Sequence, residues 1–438
     1  MKLIIFSSQK SARLNYVLKL IFQELLYVDY QLIVDKATFE QSTGFKLNYS
    51  CIDLISDIQI YPSTLLFEEK IKDIRPNFEE IKSLKVLYKN TNCPYGYDIF
   101  SAVFYLVSRY EEYQYLTYDQ HGRYPSSNSI LYKNNCLDEP IVNQWVLDLK
   151  DRIVKLNPEL NFRPRSFEFL STIDIDQAYQ FKYKSYLRTL LGYFRDFSRW
   201  DKELLKTRWL VRNNKITDPF DSYCFQFNNH SAYKIQAIYF LQVGKMGRFD
   251  KNLTPTNPAF QNLIQQLCEQ ENTKLGLHPS YDSFYHFDKL KKEKEILENL
   301  IGSQIIKSRQ HYLKFQLPKT YQNLIALGIK EEYTMGYSDQ VGFRAGIAAP
   351  FFWFDLEKNE ETKLRVFPFC SMDITPRHYF KMKPDEAILL NRKLLRKTKE
   401  LGGFFSSLWH NESLGGENHW QEWEKVYVNL LKDATAKQ

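Results

Sequence analysis

The chain has 438 residues and a net charge of +7, from 59 Lys and Arg against 52 Asp and Glu. That length predicts two domains. A composition of 44% hydrophobic and 25% charged residues is ordinary for a globular protein and excludes disorder, collagen and coiled coil as the main architecture. The weak net charge argues against a dedicated nucleic-acid binder. The aromatic content of 16% suits a large core and clefts for sugars or bases.

The first 165 residues read as a smaller α/β or α+β domain. Residues 3–6 and 27–34 are strand-like. Residues 14–25 and 98–115 place apolar side chains at helical spacing, and 142–156 reads as a further helix. A polar loop covers 121–129. The stretch 157–164 contains two prolines and reads as the linker. The six cysteines show no paired metal or redox spacing, which predicts reduced thiols and a cytoplasmic protein. The N-terminal apolar run is too short for a secretory signal, and no stretch of about 18 apolar residues predicts a spanning helix.

Residues 166–438 alternate strands and helices, with a basic helical insertion at 180–230. Strands are expected at 167–173, 235–243, 274–277, 304–307, 333–335, 364–369 and 404–409. Helices are expected at 258–272, 289–301, 320–327, 384–401 (with Gly402 as the cap) and 420–432. Such alternation predicts a parallel sheet or a barrel, with the chemistry at the C-terminal strand ends.

Five polar motifs fall at those ends. Ser171-Thr-Ile-Asp174-Ile-Asp176 places two carboxylates on one side of an extended chain, a pattern suited to a divalent metal and a base. His278-Pro-Ser-Tyr-Asp282 offers a ring nitrogen in a rigid loop, with Asp282 as a second donor. In Ser308-Arg309-Gln-His311-Tyr312 the arginine can orient a carboxylate. Gly342-Phe-Arg344-Ala-Gly346 offers Arg344 to an acid or a sugar hydroxyl, and its glycines lack dinucleotide-loop spacing. Leu408-Trp409-His410-Asn-Glu412 offers a general acid and a ring to cover a sugar face. Each motif also has a plain structural reading, as a capped turn, a loop histidine or a surface arginine.

These motifs, in order, resemble the polysaccharide deacetylase domain (NodB homology, carbohydrate esterase family 4), with residues 1–165 resembling an uncharacterised bacterial N-terminal domain at Ser108-Arg-Tyr-Glu-Glu-Tyr and Gly122-Arg-Tyr-Pro. The resemblance implies an irregular (β/α) barrel of about seven strands. It also implies a metal-dependent hydrolase acting on carbon–nitrogen bonds, which removes an acetyl or other acyl group from an N-acylated sugar or glycan precursor. Carried over, Asp174 is the base, Asp176 and His278 are metal ligands, Arg309 braces Asp174 and His410 protonates the leaving amine. Tyr312, Arg344 and Trp409 fall to the substrate. The family's first motif has adjacent acids, and here one residue separates them. The second histidine of its His-Ser/Thr-x-x-His motif is absent, so Asp282, or His286 nearby, is expected to complete the site. Zn²⁺ is the expected ion, with Ni²⁺ or Co²⁺ as alternatives.

Two other functions compete: a carbohydrate-binding protein of the same fold without turnover, and a glycosyltransferase using Asp174-x-Asp176 on a nucleotide diphosphate. Residues 182–215 carry ten Lys and Arg against three acids, interleaved with aromatic and leucine side chains. They read either as a helical insertion with a solvated basic face or as an interfacial helix on the inner membrane surface.

Overall fold

The computed structural model describes residues 2–114, 117–163, 165–416 and 420–436. Tyr115 and Pro164, where an expected helix and the expected linker end, lie outside them. The N-terminal region forms a four-stranded parallel sheet. Its strands are β1 (Leu3–Ser7), β2 (Tyr30–Ile33), β3 (Phe45–Tyr49) and β4 (Ile58–Ile60), in the order β2-β1-β3-β4. Helix Ala12–Leu18 starts at Ser11, whose hydroxyl accepts from Leu14 N–H, and runs on into a π-helical turn, Lys19–Leu25. Helix Ile99–Val107 is buried on all sides, which its nine apolar or small residues permit. A short hairpin, β5 (Glu79–Ile81) and β6 (Leu84–Val86), stands apart.

The second sheet has nine strands: β7 (Glu168–Ile175), β8 (Ala237–Leu241), β9 (Thr273–Leu277), β10 (Lys307–Ser308), β11 (Glu331–Glu332), β12 (Phe351–Asp355), β13 (Glu360–Val366), β14 (Ser371–Met372) and β15 (Phe404–His410). Their order is β12-β13-β11-β10-β9-β8-β7-β15-β14, parallel throughout except for the β12–β13 hairpin. Among the described residues no strand pairing closes this sheet, where a barrel was expected. Three of its strands are short, with two residues each in β10, β11 and β14. Irregular backbone spans that side: Phe369 N–H donates to Met335 C=O at 3.0 Å and Gly342 N–H to Cys370 C=O at 2.8 Å.

Helices cover the sheet between its strands. Pro258–Cys268 starts on an Asn257 cap with Pro258 in its first turn. Pro384–Glu400 ends just before Gly402, which takes φ 57°. Period-two alternation in β7 sends Ile173 and Ile175 into the hydrophobic core and Asp174 to the opposite face. Parallel strands therefore deliver their polar residues together at one end.

Candidate metal centre

Register brings the motifs to one place. β15 pairs with β7 so that His410 stands beside Asp174. β8 and β9 carry the same level outward to His278, whose N–H donates to Leu241 C=O at 3.0 Å. A cavity of about 360 Å³ opens there, lined by Asp174, Asp176, His278, His311, Tyr312, His410 and Glu412 among others.

Asp176, His278 and His311 each turn one donor atom to a common point, all within 4.8 Å of one another. The proton positions follow from the partners. His278 Nδ1 lies 2.6 Å from the Arg309 carbonyl, which can only accept, so Nδ1 carries the proton and Nε2 presents its lone pair. His311 Nδ1 lies 2.9 Å from Asp250 Oδ1, with the same result. The two Nε2 atoms face Asp176 at 2.9 and 3.2 Å. Asp176 Oδ1 is buried with no hydrogen bond. With their Nε2 atoms unprotonated, these converging donors fit a divalent cation. An Asp-His-His set is a familiar three-ligand arrangement for Zn²⁺ and accepts Co²⁺ or Ni²⁺. Burial opposes charge on His311, but Asp176 and Asp250 outweigh it and raise its pKa to about 9. A bound cation would take the place of that proton.

Asp174, almost fully buried, accepts from Arg309 at 3.0 Å, and the same guanidinium nitrogen donates to Thr172 Oγ1 at 2.7 Å. Its other oxygen lies 3.7 Å from His278 Nε2. Across the cavity, His410 Nδ1 lies 2.9 Å from Asp373 Oδ1, leaving Nε2 toward Asp176 Oδ2 at 3.9 Å. Burial disfavours the imidazolium, but Asp373 overcomes it and lifts His410 to about 10. Burial, with the nearby charges of Asp176 and Asp373, raises Glu412 to about 7.

Four expected residues lie elsewhere. Asp282 sits in the turn Tyr281–Phe284 with an exposed side chain 3.5 Å from Lys289, outside the ligand cluster; His286 is exposed at the head of the next helix. His311, from the loop after β10, stands where Asp282 was expected. Trp409 is buried against Tyr427, with ring centres 4.9 Å apart, because strand alternation turns Leu408 and His410 into the cavity and Trp409 away from it. Arg344 forms a buried two-pronged pair with Glu112 at 2.9 and 2.7 Å, between the rings of Phe315 and Tyr337. It therefore braces the loop against the N-terminal region rather than lining this cavity. Tyr312 does line it, with left-handed φ of 60°.

Sequence reading missed His311 as a candidate ligand, Asp250 and Asp373 as partners of histidines, and the contribution of the N-terminal region. His121 packs on Tyr281, Phe249 and Tyr312 at ring distances of 5.1–5.9 Å, and Arg123 donates to Tyr312 C=O at 3.0 Å. Both line the cavity, so residues from the two ends of the chain build it together.

Residues 3–158 match the model of a family of unknown function, DUF7033. No curated protein matches the chain. Among solved structures, the chain is similar to a protein from Mycobacterium smegmatis assigned as a polysaccharide deacetylase, with 13% identity over 63% of this chain and 85% of that one and a TM-score of 0.41. It is similar to a polysaccharide deacetylase from Bacillus cereus, with 13% identity over 61% and 86% of the two chains and a TM-score of 0.29. It is also similar to a carbohydrate esterase family 4 pseudoenzyme from Bacillus anthracis, with 11% identity over 62% of each chain and a TM-score of 0.28.

Proposed function

We propose that the chain is a metal-dependent hydrolase that removes an acyl group from the nitrogen of an N-acylated sugar, with the nine-stranded sheet and the backbone that bridges its ends acting as the irregular barrel of a deacetylase. The observation that carries this reading is the convergence of three unlike devices on one cavity. These are the Asp176-His278-His311 donor set, the Asp174-Arg309 pair and the His410-Asp373 pair.

Asp176, His278 and His311 would hold a divalent cation, which supplies Lewis-acid polarisation of the acyl carbonyl and of water. Asp174 is the base. Arg309 keeps it oriented, and it accepts the proton of the attacking water as the new C–O bond forms. His410 is the acid. Asp373 holds its Nδ1 proton, so Nε2 faces the cavity and gives its proton to the departing nitrogen as the C–N bond breaks. A carboxylic acid and an amine leave. Phe249, Tyr312 and His121 line the cavity as an aromatic wall on which a sugar face can pack, with Tyr281 buried behind them.

The test is acid release from N-acetylated sugars by the metal-loaded chain, compared with Asp174→Asn. Release by the former and its loss in the latter support the reading. Metal binding without release from any N-acylated sugar favours a binding protein of the same fold.

A further inference from the structure

The insert at 182–215 takes no part in the chemistry above. Its helices Tyr186–Ser198 and Lys202–Arg212 are locked by buried Asp196, which accepts from Arg208 at 2.5 and 2.8 Å and from Arg195 at 2.9 Å. It is therefore a built unit with two distinct sides.

The outer side is apolar. Tyr186, Leu187, Leu190, Phe194, Phe197 and Trp200 are each 53–83% exposed. In Tyr186–Ser198 the spacing of three and four residues sets Leu187, Leu190, Phe194 and Phe197 along one stripe. Among the described residues, nine of the 22 exposed large hydrophobic side chains fall between residues 183 and 209. This is a concentrated patch rather than scattered surface residues.

The inner side is basic. Lys184, Arg188, Arg195, Arg208 and Lys251 line a cavity of about 460 Å³. It shares Gln177, Lys251 and Glu412 with the metal cavity, so the two adjoin. Arg188 donates to the carbonyls of Asn252 and Lys251, Lys184 to that of Gln180, and Lys251 to that of Gly247. Among the described residues no carboxylate forms an ion pair with these three cations. Burial and the neighbouring arginines depress Lys184 to about 7, outweighing the opposing pull of Asp218.

We propose that this insert seats the protein on an anionic lipid surface, with its basic cavity taking the phosphate of a lipid-linked sugar whose N-acyl group reaches the metal cavity. The substrate half rests on the deacylase reading; the docking half does not. Charge complementarity selects the occupant. Outside the cavity, Arg199, Lys202, Lys206, Arg212 and Lys215 are exposed against Asp201 and Glu203, an excess of positive charge that suits anionic headgroups around an apolar stripe. A second copy docked on the same face would set like charge against like.

The test is sedimentation of the full chain with phosphatidylcholine vesicles, with and without phosphatidylglycerol, at low and high salt. Binding is expected only to the anionic vesicles and is expected to weaken with salt. Leu190→Ser/Phe194→Ser/Trp200→Ser should weaken it by about tenfold or more, while Phe194→Trp retains it. Inorganic pyrophosphate should bind the wild type and not Lys184→Gln/Arg188→Gln. No vesicle binding overturns the proposal. Pyrophosphate binding without vesicle binding also overturns it and indicates a soluble phosphorylated substrate. So does a dimer in vesicle-free solution that the serine changes dissociate. Asp176→Ala separates the two readings: it should lose metal and still bind vesicles. A wild-type chain that binds vesicles and pyrophosphate but never metal defeats the deacylase reading alone.

Discussion

The ring N–H of His311 donates to Asp250 at 2.9 Å, and that bond turns the other ring nitrogen toward Asp176 and His278. Asp250 is buried, yet the His311 and Tyr281 N–H groups outweigh burial and hold it below the usual carboxylate range. It is thus a fixed anionic acceptor behind a candidate ligand. Asp250→Ala is expected to lower divalent-metal affinity by about 10–100-fold, as for other carboxylates behind a ligating histidine. A chelator-competition titration checks it, and unchanged affinity contradicts it.

The His410–Asp373 pair gives a separate expectation. His410→Ala should reduce hydrolysis by about 10²–10⁴-fold, the usual contribution of a positioned acid. Metal content should be unchanged, because His410 Nε2 lies 3.9 Å from Asp176 and outside the donor set. Single-turnover rates on metal-loaded protein measure this. Loss of metal in the variant would make His410 a ligand instead.

Glu112 holds together segments 232 residues apart, pairing with Arg344 and with Arg109 in a buried network. Glu112→Ala strips Arg344 of its charged partner inside the protein. Breaking a buried pair in this way costs about 3–5 kcal/mol. Urea unfolding should show that loss, while metal bound per folded molecule stays constant. A change below about 1 kcal/mol, the range of a surface pair, would contradict the burial argument.

Glu332 sets a pH dependence of stability. Burial raises it to about 7 against an ordinary 4.5, only partly offset by donors from Thr334 and Tyr321. A raised acid favours the folded state when protonated. Its contribution is complete below about pH 4.5 and is lost as pH rises through about 7. A shift of this size corresponds to roughly 3 kcal/mol across the window. Urea midpoints should fall between pH 5 and 8 in the wild type and fall less in Glu332→Gln. Equal pH profiles would rule Glu332 out as the source.

Much of the site is legible in the sequence because parallel strands deliver polar residues to one end. Asp174, Asp176, His278, Arg309 and His410 each follow an apolar run, and all five meet in or against the cavity. Trp409 was misplaced although period-two alternation was readable: if His410 faces the cavity, its neighbour cannot. His311 lies within the Ser308–Tyr312 motif, one strand away from the loop of His278 where the family pattern places the second histidine. The strand before it has two residues, too few to show a pattern. Asp250, Asp373 and the Glu112 partner of Arg344 depend on contacts between distant segments that spacing does not encode.

Metal content per chain in the wild type, His311→Ala and Asp282→Ala shows whether Asp176, His278 and His311 hold a divalent ion. About one Zn²⁺, Co²⁺ or Ni²⁺ per chain is expected in the wild type and in Asp282→Ala, and none in His311→Ala. Metal retained by His311→Ala, or lost from Asp282→Ala, would contradict this assignment.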